Sequence, residues 1–221
     1  MNHPILQENY KNICKKLPPH VQLVVVSKTH PVAMIQNVYD MGQRHFGENK
    51  VQELLEKQPL LPEDICWHLI GHLQTNKVKQ IIHFIDVIES VDSRKLMAEI
   101  NKHAAKANRT VKVLLQVKIA EEDTKFGLEV SETKELFLEW MQGQYPNVEV
   151  NGLMGMATFT DDEAQVSREF SFLKQLFKQL SLQKELTTLS MGMSGDYPVA
   201  IDCGSTSVRI GSAIFGERDY L

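Results

Sequence analysis

The chain has 221 residues, of which 43% are hydrophobic and 24% charged, and 24 basic side chains against 28 acidic ones leave a formal charge of −4. These proportions suit a folded soluble protein and lack the low hydrophobicity and strong net charge of a disordered one. They also provide no overall cationic field for holding nucleic acid or an anionic lipid surface.

A chain of this length buries roughly 70% of its unfolded surface and needs no covalent staple. The three cysteines, Cys14, Cys66 and Cys203, are far apart and form no Cys-x-x-Cys pair, which argues against a disulfide framework or a zinc ribbon. Residues 1–16 lack an uninterrupted apolar run and carry Glu8, Lys11, Lys15 and Lys16, so they do not read as a signal peptide. No segment reaches the roughly 20 apolar residues needed to span a bilayer. The expected location is the reducing cytoplasm. No linker, charge block or low-complexity tract marks an internal boundary, so one domain over residues 1–221 is expected.

In chain order, residues 2–16 predict an extra N-terminal helix that caps the rest. Strand-type runs follow at 23–27, 45–47, 67–71, 87–91, 111–117, 148–156, 188–191 and 208–210. Several are apolar on consecutive positions, as parallel strands covered on both faces should be. Helical stripes lie between them: Val32, Ile35 and Tyr39; Val51, Leu54 and Leu55; Val78, Ile81, Ile82 and Ile85; Leu96, Ile100 and Ala104; Leu136 with Trp140. The clearest is Val166, Phe170, Leu173 and Phe177, which Thr160-x-x-Glu163 opens as a capping box. Eight strand candidates alternating with helices place the chain in the α/β class. They predict a single (β/α)8 TIM barrel, with a doubly wound open sheet as the competitor.

Barrel chemistry gathers where strands end and βα loops begin. Lys28, Glu48, Asn49, His72, Ser90, Asp92, Lys118, Met156, Thr158, Ser190, Ser194, Arg209, Gly211 and Ser212 stand there. With a period of two, Val24, Val26 and Lys28 point the same way, which lifts Lys28 into the barrel mouth. Poor solvation there favours the neutral amine needed for Schiff-base chemistry with an aldehyde. The alternative is a structural lysine paired with Glu48 or Asp92.

At the other end, Ser190-Met191-Gly192-Met193-Ser194-Gly195 feeds a helical segment, and a second Gly-Ser pair, Gly211-Ser212, follows strand eight. Glycine turns at helix starts present free N–H groups to anions, and barrels often bind phosphate at these two loops. Two ordinary turns are the alternative. A lysine nucleophile opposite a phosphate site suits a phosphorylated aldehyde, and pyridoxal 5′-phosphate is the obvious one.

Val25-Val26-Ser27-Lys28-Thr29, Phe46-Gly47-Glu48-Asn49-Lys50-Val51-Gln52-Glu53 and Trp67-His68-Leu69-Ile70-Gly71-His72-Leu73-Gln74-Thr75-Asn76-Lys77 resemble the pyridoxal phosphate homeostasis protein family (the YggS/PROSC proteins). Lys125-Phe126-Gly127, Gly152-Leu153-Met154-Gly155-Met156-Ala157, Leu189-Ser190-Met191-Gly192-Met193-Ser194 and Gly204-Ser205-Thr206-Ser207-Val208-Arg209-Ile210-Gly211 agree with it. The resemblance spans about residues 24–218. It departs at Lys50, where an aromatic residue is expected, and at Val117-Lys118-Ile119-Ala120, which is less polar than usual.

The resemblance implies a barrel like the N-terminal domain of alanine racemase, with pyridoxal phosphate on Lys28 as an internal aldimine. It implies that Ser194 and the Gly211 and Ser212 amides hold the phosphate and that Arg209 faces the pyridine nitrogen. Asn49, His72, Met156 and Ser190 would line the pocket. An arginine beside that nitrogen keeps it unprotonated and weakens the ring as an electron sink. Racemisation also needs a second acid/base, which alanine racemase takes from a tyrosine on another domain and subunit. The chain stops just after strand eight, and none of Tyr10, Tyr39, Tyr145, Tyr197 and Tyr220 is at a predicted strand end.

The expected function is therefore a non-catalytic monomer that buffers pyridoxal phosphate or delivers it to apo-enzymes. A weak amino-acid racemase is the runner-up, and an aldolase using Lys28 or Lys118 the third reading. Lys118 and Lys125 are placed to take the aldehyde over from Lys28 during hand-over. His68, His72 and His83 do not share one helix face and gain no nearby carboxylate in sequence, so no metal site is expected.

Overall fold

The computed structural model describes residues 3–121 and 126–216. Eight parallel strands close on themselves in sequence order. They are β1 Gln22–Val26, β2 His45–Glu48, β3 Cys66–Leu69, β4 Val87–Val91, β5 Val111–Gln116, β6 Val148–Met154, β7 Thr188–Ser190 and β8 Ser207–Ile210. Closure is made by β1 against β8, with Val24 opposite Arg209. The helices outside are α1 Pro4–Lys16, α2 Val32–Asp40, α3 Val51–Lys57, α4 Val78–Ile81, α5 Arg94–Lys106, α6 Val130–Met141, α7 Glu163–Ser181, α8 Tyr197–Asp202 and α9 Ser212–Phe215. The α/β barrel is the fold expected from the alternating pattern. Among the described residues no helix is long and apolar enough to cross a membrane.

Strand parity decides which side chains meet. Leu23 and Val25 join the large apolar cluster between sheet and helices. Val24 and Val26 are also buried but lie outside that cluster, because alternate residues face the lumen. Five strand ends fall one or two residues earlier than expected, those of β1, β3, β5, β6 and β7. β6 stops at Met154, where the Gly155 N–H turns to the Ser190 carbonyl, so Met156 stands in the loop beyond. β7 stops at Ser190.

The N-terminal helix does not cap an end of the barrel. Leu6, Tyr10 and Ile13 of α1 pack into the outer core, and α1 lies against α9 and α2. Asn9 Nδ2 donates to the Ile214 carbonyl, and the Tyr10 hydroxyl to Gln43. α9 has only four residues, and α1 supplies the apolar face missing from that part of the helix layer.

The expected Thr160–Glu163 box is also replaced. The cap of α7 is Asp162, whose Oδ1 accepts the N–H groups of Ala164 and Gln165, while the Thr160 hydroxyl oxygen accepts from Asp162 N–H. A carboxylate at a helix start adds charge–dipole attraction to the hydrogen bonds. The box forms on α6 instead, from Glu129 and Glu132. Asp162→Ala is expected to lower unfolding free energy by about 1 kcal/mol, measured by urea denaturation. No loss would show that Thr160 substitutes as cap.

Candidate functional site

The lysine at the end of β1 is held by its neighbours' contacts. Buried Ser27 precedes it, and its hydroxyl donates to Glu48 Oε1 at 2.7 Å. Lys57 of α3 reaches the same oxygen at 2.8 Å, the Ser27 carbonyl at 2.9 Å and Glu53 Oε2 at 2.9 Å. Burial pushes the Glu48 carboxyl up, with Lys57 and Ser27 opposing. Glu48 is thus paired with Lys57, and Asp92 with His72 at 2.7 Å. Thr29 has a φ of 68°, unusual for a β-branched residue, and its N–H donates to Glu53 Oε2 at 2.6 Å. Sequence reasoning missed Lys57; its Glu53-x-x-x-Lys57 spacing was the available signal.

Asn49 follows β2 directly, and the loop after β3 passes tightly over it. A Cβ on Gly71 would lie 2.3 Å from the Asn49 carbonyl oxygen, so only glycine permits this crossing. On the far side, Gly192 turns the chain with a φ of 100°. That turn brings Ser194 to the start of α9, where its hydroxyl oxygen accepts from Gly211 N–H at 3.2 Å and Ala213 N–H at 3.3 Å. These amides converge on one oxygen, the geometry an anionic oxygen uses. The expected set named the Gly211 and Ser212 amides; the Ser194 oxygen is met by Gly211 and Ala213, and Ser212 lines the cavity beside them.

Arg209 forms the floor. Its Nη2 donates to the Gly155 carbonyl at 3.1 Å, and its Nη1 donates to the Ser190 hydroxyl, 3.8 Å from Glu89 Oε2. Ser190 in turn donates to Glu89 Oε2 at 2.6 Å, and His68 Nδ1 meets Glu89 Oε1 at 2.7 Å. β4 and β7 are not neighbours in the barrel, so the Ser190–Glu89 bond crosses its lumen. Burial would raise the Glu89 carboxyl, but hydrogen bonding and charge from His68, then Arg209 and Ser190, hold it below its ordinary value. Burial pulls the Arg209 guanidinium down, with Glu89 and Asp196 opposing, and a guanidinium remains charged at neutral pH. A glutamate in the middle of a short strand flanked by Val and Ile was the sequence signal for this network.

These parts border one cavity of about 460 Å3, lined by Val26, Lys28, Asn49, Ile70, Met156, Met193, Ser194, Arg209, Gly211 and Ser212 among others. Its size falls within the range of small-molecule sites. Two residues expected on its wall stand elsewhere. His72 is exposed, bonded to Asp92 and stacked on Phe126 at 4.3 Å. Ser190 is fully buried beneath Arg209, which it positions. Lys118 lies off this wall, 3.9 Å from Glu129 Oε1, and Lys125 is outside the described residues. The expectation of no metal set weighed His68 with His72 and His83; the structure instead puts His68 beside His45 and Cys66.

Comparison with known proteins agrees with this geometry. The profile of the alanine racemase N-terminal domain family matches residues 2–219. The pyridoxal phosphate homeostasis protein of Aquifex aeolicus is 42% identical over 202 residues, covering 90% of this chain and 88% of that one. The Homo sapiens protein of the same name is 42% identical over 214 residues, covering 90% and 77%. Among solved structures, PipY of Synechococcus elongatus with pyridoxal phosphate bound superposes with a TM-score of 0.86 at 38% identity, covering 96% of this chain and all of that one. Alanine racemase from E. faecalis shares the fold at 16% identity and a TM-score of 0.79, covering 97% of this chain and 58% of that one. A barrel with this lysine, this cradle and this sequence belongs to the alanine racemase N-terminal domain family, within the group of pyridoxal phosphate homeostasis proteins.

Proposed function

We propose that this chain binds pyridoxal 5′-phosphate and holds it in reserve, serving cofactor homeostasis rather than turnover. The observation that carries the reading is one cavity lined by Lys28, by Ser194, Gly211 and Ser212, and by Arg209, with the Ser194 hydroxyl oxygen gathering the Gly211 and Ala213 amides. The cofactor supplies an aldehyde for an amine, a phosphate for a cradle and a ring nitrogen for a polar partner. Lys28 would hold the first, Ser194 with the Gly211 and Ala213 amides the second, and Arg209 the third. PipY, solved with pyridoxal phosphate bound, supports the identity of the cofactor.

The protein's own groups favour binding over catalysis. Arg209 is already protonated at neutral pH and cannot accept a proton, and its position is fixed by Ser190 and Gly155. A second acid/base is needed for racemisation, and the described tyrosines are placed for other work. Tyr10 bonds Gln43, Tyr39 bonds Asp64, Tyr145 bonds Glu139, and Tyr197 packs behind Gly192. Tyr220 lies outside the described residues. In this reading the acceptors are pyridoxal phosphate-dependent apo-enzymes in the cytoplasm.

The cradle gives the direct test. Ser194→Ala is expected to weaken pyridoxal phosphate binding about tenfold, or about 1.4 kcal/mol. Binding of pyridoxal, which has no phosphate, should stay unchanged. Equal losses for both would remove the cradle from the assignment. Incubation with L-alanine is expected to give no D-alanine; turnover on the order of 1 s−1 would make the protein an enzyme.

A further inference from the structure

At the opposite end of the barrel, a second group of side chains touches the network beneath Arg209 only through His68. His45 opens β2, and Cys66 opens β3 directly across from it in register. His68 stands two residues further along β3 and so faces the same side as Cys66. His45 Nδ1 lies 3.1 Å from His68 Nε2, and Cys66 Sγ lies 3.7 Å from that same nitrogen. All three donor atoms fall within 4.8 Å of one another. Among the described residues this is the one such grouping of His, Cys, Asp and Glu side chains.

We propose that His45, Cys66 and His68 bind a zinc-class divalent cation at the N-terminal end of the barrel. Around a tetrahedral zinc with Zn–N near 2.05 Å and Zn–S near 2.3 Å, nitrogens stand about 3.3 Å apart and nitrogen and sulfur about 3.6 Å. Both separations measured from His68 Nε2 are within a few tenths of an ångström of these values. Two imidazoles and a thiolate select zinc-class ions over magnesium or calcium, which prefer oxygen.

The surroundings complete the arrangement. Glu89 accepts from His68 Nδ1 at 2.7 Å, which leaves Nε2 facing His45 and Cys66. A carboxylate behind a ligating histidine is the usual support of a metal ligand. The three side chains border a cavity of about 270 Å3, which gives an ion a route in and leaves a fourth coordination position for water or a small anion. Arg109 and Lys112 share that cavity and favour the anion. On binding, the Cys66 thiol proton and the proton shared between the two imidazoles pass to solvent.

The test uses the intact protein without pyridoxal phosphate, titrated with Co2+ and then with Zn2+. One equivalent of Co2+ is expected to give tetrahedral d–d bands and a thiolate-to-metal charge-transfer band, both erased by Zn2+. Cys66→Ser should remove the charge-transfer band, and His45→Gln should weaken binding at least about tenfold. Circular dichroism checks that both variants are folded. Cys14→Ser serves as control and should change nothing, since Cys14 is exposed on α1. Absence of saturable binding, an octahedral cobalt spectrum, or a thiolate band that survives in Cys66→Ser would each overturn the site.

Discussion

Lys28→Ala is expected to leave a folded protein that takes up no colour from pyridoxal phosphate and yields no borohydride-trapped adduct. The lysine is a partly exposed residue on the cavity wall, beyond the end of β1, so removing it opens no hole in the core. The cradle and the floor stay in place, because Ser194, Gly211, Ala213 and Arg209 are held by other contacts. Residual binding should therefore be non-covalent and at least about 100-fold weaker, equivalent to about 2.7 kcal/mol. Absorbance titration and peptide mapping after reduction measure both effects. A reduced adduct mapping to Lys118, or an unchanged affinity in Lys28→Ala, would move the attachment point.

Arg209→Ala is expected to produce the largest loss of stability among single substitutions at the site. The side chain is 3% exposed, and Glu89 beside it is 1% exposed. Removing the guanidinium leaves the Gly155 carbonyl and the Ser190 oxygen without their donor and Glu89 with His68 as its remaining cationic neighbour. Breaking a buried pair in this way costs about 3–5 kcal/mol. For a chain of this size that corresponds to a fall in Tm of roughly 6–20 °C. Arg209→Lys keeps the charge but not both contacts and should fall between wild type and Arg209→Ala. Thermal unfolding followed by circular dichroism checks the order. A fall under about 2 °C in Arg209→Ala would mean that His68 alone balances Glu89.

The fold was legible because its signals are local and repetitive. Each strand is a short apolar run, and each helix repeats an apolar residue every three or four positions. Lys28, Ser194 and Gly211 were legible because barrel geometry assigns meaning to strand ends. The contacts of buried polar side chains were not. Glu89 and the trio His45, Cys66 and His68 acquire partners only when separate strands become neighbours or face each other across the lumen, and Lys57 reaches Ser27 and Glu48 only once α3 folds back on the ends of β1 and β2. The family resemblance implies a cavity-lining Ser190, yet its hydroxyl turns inward to Glu89. The cap of α7 was misplaced by two residues because Asp162 and Thr160 both satisfy capping chemistry, and only the three-dimensional path of the chain chooses between them.

The hydrogen bond from Ser190 to Glu89 also acts as a tie rod. It fastens two strands three places apart around the cylinder, spanning the lumen as a chord, with His68 and Arg209 bracing its two ends. A cylinder braced across its width cannot widen by spreading its staves. Admission and release at the mouth are then left to the rim, where the segment from Met156 to Asp161 borders the opening and Phe159 projects with 97% of its surface exposed. The stiffness of the barrel interior thereby assigns the motions of exchange to a few loop residues, and the rate of exchange can change there without disturbing the frame.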